Sequence, residues 1–213
     1  MSRSIPIILT ILITANSLYT SSFFEKKGIN VKDNIFPEEK NDNDIKLSTV
    51  CNSVDLTAAP FNYTSLVWSG YLNVNKGGSG LAFMFYGKEG ASKEQIKDIP
   101  TIIWLNGGPG SSSQLGNFME LGPSFVKPAN MAPWEIVSNK HTWVKEYNVL
   151  FVDQPVGTGL SYADPSYSPS PYCNNMDDVA ADFYNALKEL YFTSNGCFNQ
   201  LGITGDRPLF IFG

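Results

Sequence analysis

One histidine and three cysteines are all the imidazole and thiolate ligands that these 213 residues offer, and none of the four stands at zinc-site spacing from another. That speaks against a structural metal centre. Basic charge is also scarce. Fifteen Lys and Arg against twenty Asp and Glu leave a net charge of −5, without the footprint that a nucleic-acid backbone requires. No apolar run is long enough to span a bilayer; the longest candidate covers only Ile5 to Ile13. Glycines are plentiful, but none opens a G-K-[ST] phosphate cradle, and no internal repeat is apparent. What is abundant is apolar surface. With 43% hydrophobic and 13% aromatic residues, the chain can build one sizeable core.

The apolar run follows Arg3 and is succeeded by Ala15 and Ser17, the layout of a cleavable signal peptide over residues 1–17. Residues 18–48 mix charges without periodicity and read as a polar linker or pro-segment. If the chain is secreted, Asn62-Tyr63-Thr64 is a glycosylation sequon at Asn62. An odd cysteine count then implies a free thiol or a partner elsewhere. Spacing favours a local Cys173–Cys197 pair, with Cys51 left for a later partner.

Beyond residue 49 the pattern becomes that of strands. Leu66–Val74 and Gly80–Gly87, separated by "NKGGS", read as a hairpin. Thr101–Gly107, Tyr147–Pro155 and Pro208–Gly213 are short, nearly continuous apolar runs, as expected of parallel strands buried on both faces. Met176–Thr193 reads as a helix, since Val179, Phe183, Leu187 and Leu190 recur on one face. Asn175, with Asp178 three residues later, resembles its cap. Strand, helix and strand in succession argue for an α/β sheet.

"WLNGGPGSSS", Trp104 to Ser113, needs an explanation of its own: this much glycine suggests backbone that must approach something closely. With Glu120–Pro123 ("ELGP") and Asp153–Tyr162 ("DQPVGTGLSY") following in order, the sequence resembles the serine carboxypeptidase family over about residues 50 to 213. Trp68–Leu72 looks like that family's first core strand, and Asp177–Leu187 like the helix before its nucleophile strand. One departure is plain: the family's usual Cys after G-P-G is Ser111 here, so the disulfide formed by that Cys is not expected.

The resemblance implies an α/β-hydrolase fold with a mostly parallel central sheet, incomplete in this chain. Residues 49–213 would be the N-terminal half of a serine carboxypeptidase catalytic domain. It implies a peptidase that releases C-terminal residues from peptides and proteins through an acyl-enzyme, without metal or other cofactor, in the secretory pathway, extracellular or lysosomal/vacuolar. No nucleic-acid partner is expected, and no membrane association once a signal is removed. By the same resemblance, Gly108 N–H serves the oxyanion hole, while Gly107 N–H, the Asn106 amide and Trp104 bind the substrate's terminal carboxylate. Pro109 has no N–H to give. The Ser, Asp and His of the triad are expected after Gly213, so the 213 residues alone should be inactive. An acyltransferase on the same scaffold, or an inactive truncated glycoprotein, are the rival readings.

Four residues could mislead a motif search. Ser161 in "GLSYA" imitates a nucleophile elbow, but it follows "QPVGTG" and precedes Asp164-Pro165, so a loop is expected. His141, the sole histidine, precedes any candidate serine of that motif, the wrong order for this fold, and reads as a structural or surface residue. Asp177 and Asp178 pair like catalytic carboxylates, yet Asp at a helix start is ordinarily a dipole partner.

Overall fold

The computed structural model describes residues 10–11, 49–75, 78–127, 135–166, 170–193 and 196–213. The proposed signal peptide (1–17) and polar segment (18–48) lie outside these residues, apart from Thr10–Ile11 (β1). The central sheet contains β1, β2 (Val50–Ser53), β3 (Val67–Asn73), β4 (Gly80–Tyr86), β5 (Thr101–Trp104), β8 (Asn148–Val152) and β9 (Leu209–Phe212), in the spatial order β1-β9-β5-β8-β4-β3-β2. A small second sheet pairs β6 (Ser124–Val126) with β7 (Ile136–Ser138).

The sheet has two characters. β9, β5 and β8 run parallel, with Ile103 registered against both Leu150 and Ile211. From β8 outward the pairing turns antiparallel, and β3 and β4 form the expected hairpin, Val67 opposite Tyr86 through Asn73 opposite Gly80. This is the mixed sheet of an incomplete α/β fold. Strand periodicity divides the side chains between two apolar layers. Phe83 and Phe85 of β4, with Leu150 and Val152 of β8, face a core closed by α1 (Lys93–Ile96), α3 (Met176–Tyr191) and α4 (Cys197–Leu201) through Ile96, Ala186, Leu190, Phe198 and Leu201. Tyr86, Val149 and Phe151 face the opposite layer, with Tyr63, Val67 and Val144. Each fully buried Leu, Val or Phe of this kind contributes about 1.5–3 kcal/mol.

Burial on both faces holds for β8, all five residues of which are buried, and nearly so for β5. It does not hold for β9. Leu209 and Ile211 pack towards the helical layer, whereas Phe210 is 37% exposed. Phe210 and Phe212, with Ile102, Thr142, Trp143, Glu146 and Tyr147, line an open groove of about 480 Å³. No described element covers that face, so an apolar run that reads as a fully buried strand is only half buried.

α3 begins as its sequence suggests. The Asn175 side chain accepts from Asp178 N–H at 2.9 Å, and Asp178 Oδ2 accepts from the Asn174 N–H and from the Asn175 amide, both at 3.0 Å. Asp178 is a cap partner, which removes any need for a catalytic role. The cysteine pairing expected from spacing is overturned. Cys51 on β2 bonds to Cys197 on α4, with a Cα–Cα distance of 5.6 Å across 146 residues, and Cys173 is free. The physical reason is that α4 crosses back under the antiparallel edge of the sheet, bringing Cys197 beside β2. Sequence proximity to Cys173 does not matter once that packing is set.

Candidate active site

The carboxyl ends of β5, β8 and β9 converge, the usual location of binding sites in open α/β sheets. β5 stops at Trp104, where the chain enters the glycine-rich loop and returns through a short helix, α2 (Gln114–Gly116), into a single π-turn over Asn117–Leu121. β8 stops at Val152 and delivers Asp153. β9 ends beside the loop: a Cβ on Gly213 would lie 2.4 Å from the Leu105 carbonyl oxygen, so only glycine fits there.

Asp153 is fully buried, and its carboxylate ties the two loops together. Oδ1 accepts from the Ser112 hydroxyl (2.9 Å) and the Ser113 N–H (2.7 Å), and Oδ2 accepts from the Leu160 N–H (2.9 Å). Three donors make burial of that carboxylate tolerable. Ser113 completes the anchor, its hydroxyl donating to the Val152 carbonyl (2.5 Å) and accepting from the Asn106 N–H (3.0 Å). Gly159 sits at φ +54°, where a Cβ would lie 2.2 Å from Asp153 Oδ2. The serines after "NGGPG" and the "DQP" aspartate are therefore one structural unit.

On this base the four predicted site residues come together at one place. Asn106 Oδ1 accepts from the Trp104 indole N–H (2.8 Å) and the Gly116 N–H (3.2 Å). With the oxygen held on both counts, the two amide N–H donors of Asn106 lie on the side away from the indole. The indole N–H of Trp104 is taken up by Asn106, so any part Trp104 has in anion binding passes through that residue. Gly107 and Gly108 are exposed, and Gly108 has φ +126°, a conformation open to glycine. The Gly107 carbonyl accepts from Ser111 N–H (3.2 Å), and among the described residues neither the Gly107 nor the Gly108 N–H has a protein acceptor. Such an array of free amide donors at a strand exit suits an anion or a developing oxyanion.

The misleading motifs resolve on geometry. Ser161 Oγ donates to the Asp153 carbonyl (2.6 Å) and accepts from Ala82 N–H (2.7 Å), bracing the second loop against β4. His141 is exposed between β7 and the 3-10 turn Trp143–Lys145, its N–H on Asn139 Oδ1 (2.9 Å). Asn62 is exposed in a turn at φ +50°. Behind the Asp153 loop, the Cys173 thiol donates to Asp182 Oδ2 (3.4 Å). Burial first, then the neighbouring carboxylate, pushes that thiol up to about 11, and burial likewise lifts the Asp182 carboxyl above its ordinary value.

Sequence reasoning overlooked Asp153 as an anchor and Gly116 as a close-approach glycine. The first had a signal, since a carboxylate directly after the buried run "VLFV" must find partners. The second had none, because a Cβ at Gly116 would strike the Trp104 indole 2.2 Å away, a contact between residues twelve apart that folding creates.

A family model described as serine carboxypeptidase matches residues 59–213. The pheromone-processing carboxypeptidase kex1 of Schizosaccharomyces japonicus is 40% identical over 131 residues, covering 61% of this chain and 23% of that protein. The probable serine carboxypeptidase CPVL of Homo sapiens is 38% identical over 125 residues, covering 58% and 24%. The crystal structure of the prohormone-processing carboxypeptidase Kex1 from Saccharomyces cerevisiae superposes with a TM-score of 0.56 at 24% identity, covering 73% of this chain and 32% of that one, a likeness of fold. The chain thus spans about a quarter of the length of the curated relatives it matches.

Proposed function

The chain belongs to the serine carboxypeptidase family, and we propose that it supplies the anion-binding half of a serine-type carboxypeptidase site that releases C-terminal residues from peptides. The observation that carries this reading is the pair of exposed, unpartnered N–H groups of Gly107 and Gly108 beside the oriented Asn106 amide. Attack of a serine hydroxyl on the scissile carbonyl builds negative charge on its oxygen. The Gly108 N–H meets that charge, with about 3–4 kcal/mol of transition-state stabilisation for a well-placed donor. Gly107 N–H and the Asn106 amide hold the substrate's terminal carboxylate, which restricts cleavage to the last residue. The acyl group passes to the serine, the departing amine takes a proton, and water then releases the acyl-enzyme.

In this reading the serine, histidine and aspartate that perform the transfer lie in sequence beyond Gly213, in keeping with coverage of about a quarter of the relatives, and the 213 residues alone turn nothing over. The relatives' names point to processed peptides as substrates. Exposed Asn62 is the glycan acceptor, and the protein belongs to the secretory pathway. Among the described residues no helix is long and apolar enough to cross a membrane.

The test is an assay of the full-length protein on an N-blocked dipeptide with a free carboxylate and on its C-terminal amide. Turnover of the first with loss on the second supports the reading. Transfer to an added alcohol in preference to water would make the protein an acyltransferase, and absence of any turnover would make it a non-enzymatic homologue.

A further inference from the structure

The π-turn beside the site is capped in an unusual way. A helix end leaves its last carbonyls without intrahelical donors. Here four consecutive carbonyls are satisfied by one distant segment. The Asn139 side-chain amide donates to the Glu120 carbonyl (3.0 Å) and the Gly122 carbonyl (2.9 Å), the Thr142 hydroxyl to the Leu121 carbonyl (2.6 Å), and the Asn139 N–H to the Pro123 carbonyl (2.8 Å). Asn139 Oδ1 in turn accepts from the His141 N–H, which fixes the orientation of its amide. Asn139 is 4% exposed and Thr142 7%.

The same segment reaches the site by a second route. The Trp143 ring stands edge-to-face on Trp104 with centroids 5.7 Å apart, and on Phe212 at 5.6 Å. We propose that Asn139, Thr142 and Trp143 are positioning residues that hold the Asn106 amide in its donor-outward orientation. Asn106 Oδ1 has two donors, and each comes from a group this segment supports. The Gly116 N–H is carried by the backbone entering the π-turn, which Asn139 and Thr142 clamp at its far end. The Trp104 indole N–H is carried by the ring that Trp143 packs.

The π-turn is the element that makes the clamp consequential. It holds one residue more than an α-turn, closed by Gly122 N–H on the Asn117 carbonyl (3.1 Å), and such turns are uncommon without support. Released from the clamp, it would tighten to α geometry and shift Gly116 relative to Asn106. An Asn amide that loses both acceptor contacts is free to rotate by half a turn. It would then present an oxygen where it now presents N–H groups, and an oxygen repels a carboxylate. The segment thus governs recognition of the terminal anion without touching it.

This proposal rests on the carboxypeptidase reading, and the test separates the two. In the full-length enzyme, Asn139→Ala, with Thr142→Val and Trp143→Phe as milder substitutions, is assayed on the free-carboxylate dipeptide and its amide. The expected result is a rise of about tenfold in KM for the free carboxylate with kcat little changed, and reduced discrimination against the amide. Combined with Asn106→Ala, the clamp substitutions should add almost nothing to KM, because their effect passes through Asn106. Exchange of the Trp104 indole N–H, followed by NMR, should be faster in each clamp variant that retains the fold. Additive losses with Asn106→Ala, or unaltered indole exchange in the folded Thr142→Val and Trp143→Phe proteins, would overturn the clamp while leaving the carboxypeptidase intact. A wild-type enzyme indifferent to the terminal carboxylate would overturn the functional reading, and the proposal with it.

Discussion

Replacing Asp153 by Asn tests the anchor on which the site stands, because the substitution alters charge and hydrogen bonding with almost no change in volume. The carboxylate accepts three hydrogen bonds, two at Oδ1 and one at Oδ2. An amide can keep its oxygen at the Oδ1 position, where the Ser112 hydroxyl and Ser113 N–H converge. Its NH2 then faces the Leu160 N–H, donor against donor. One hydrogen bond to a charged acceptor is lost, worth about 1.5–3 kcal/mol, and the other two fall to neutral strength, about 1 kcal/mol less each. Burying an amide costs less than burying a carboxylate, which returns part of the loss. The net expectation is a destabilisation of about 3 kcal/mol, a large share of a typical folding free energy of about 5–15 kcal/mol. Relief by a shift of the second loop is blocked, since Gly159 already lies against Asp153 Oδ2. Urea unfolding followed by tryptophan fluorescence reads the change directly. A loss below about 1 kcal/mol with an unaltered denaturant slope would show that the carboxylate does not tie the loops, and the anchored-loop account would fall.

Three further expectations concern other parts of the molecule. Gly116→Ala places a methyl 2.2 Å from the Trp104 indole nitrogen and 2.8 Å from Asn106 Oδ1, so it should cost about 1–3 kcal/mol in unfolding experiments and weaken binding of free-carboxylate ligands; a neutral result on both would remove Gly116 from the site. Removing the Cys51–Cys197 bond by Cys51→Ser releases a loop of 146 residues, for which chain entropy alone gives about 5 kcal/mol; a non-reducing peptide map showing Cys173 bonded to Cys197 would refute the pairing. Burial raises the Asp182 carboxyl, so the native state binds its proton more tightly than the unfolded chain does. Stability should therefore decline as pH rises from about the ordinary value of 3.8 through the raised one, and Asp182→Asn should flatten that decline when unfolding midpoints are measured from pH 3.5 to 7.

Much of this protein is written locally. The hairpin follows from two alternating strands around a glycine turn, and α3 from a four-residue apolar recurrence behind an Asn cap; both appear within a residue or two of their expected bounds. The glycine loop, too, announces itself, because sparse side chains and a proline leave only certain N–H groups to offer. These features depend on neighbours in sequence, where spacing and chemistry suffice. Other features depend on which surfaces meet. Whether Cys197 reaches Cys51 or Cys173 is decided by where α4 packs. Whether the Pro208–Gly213 run is buried on both faces depends on what covers it. The orientation of Asn106 depends on an indole, a glycine N–H and a clamp thirty-three residues downstream at Asn139. The indole is a neighbour two residues away, but only the folded chain brings the Gly116 N–H and the Asn139 clamp into place, since those contacts require loop closure that no local preference encodes.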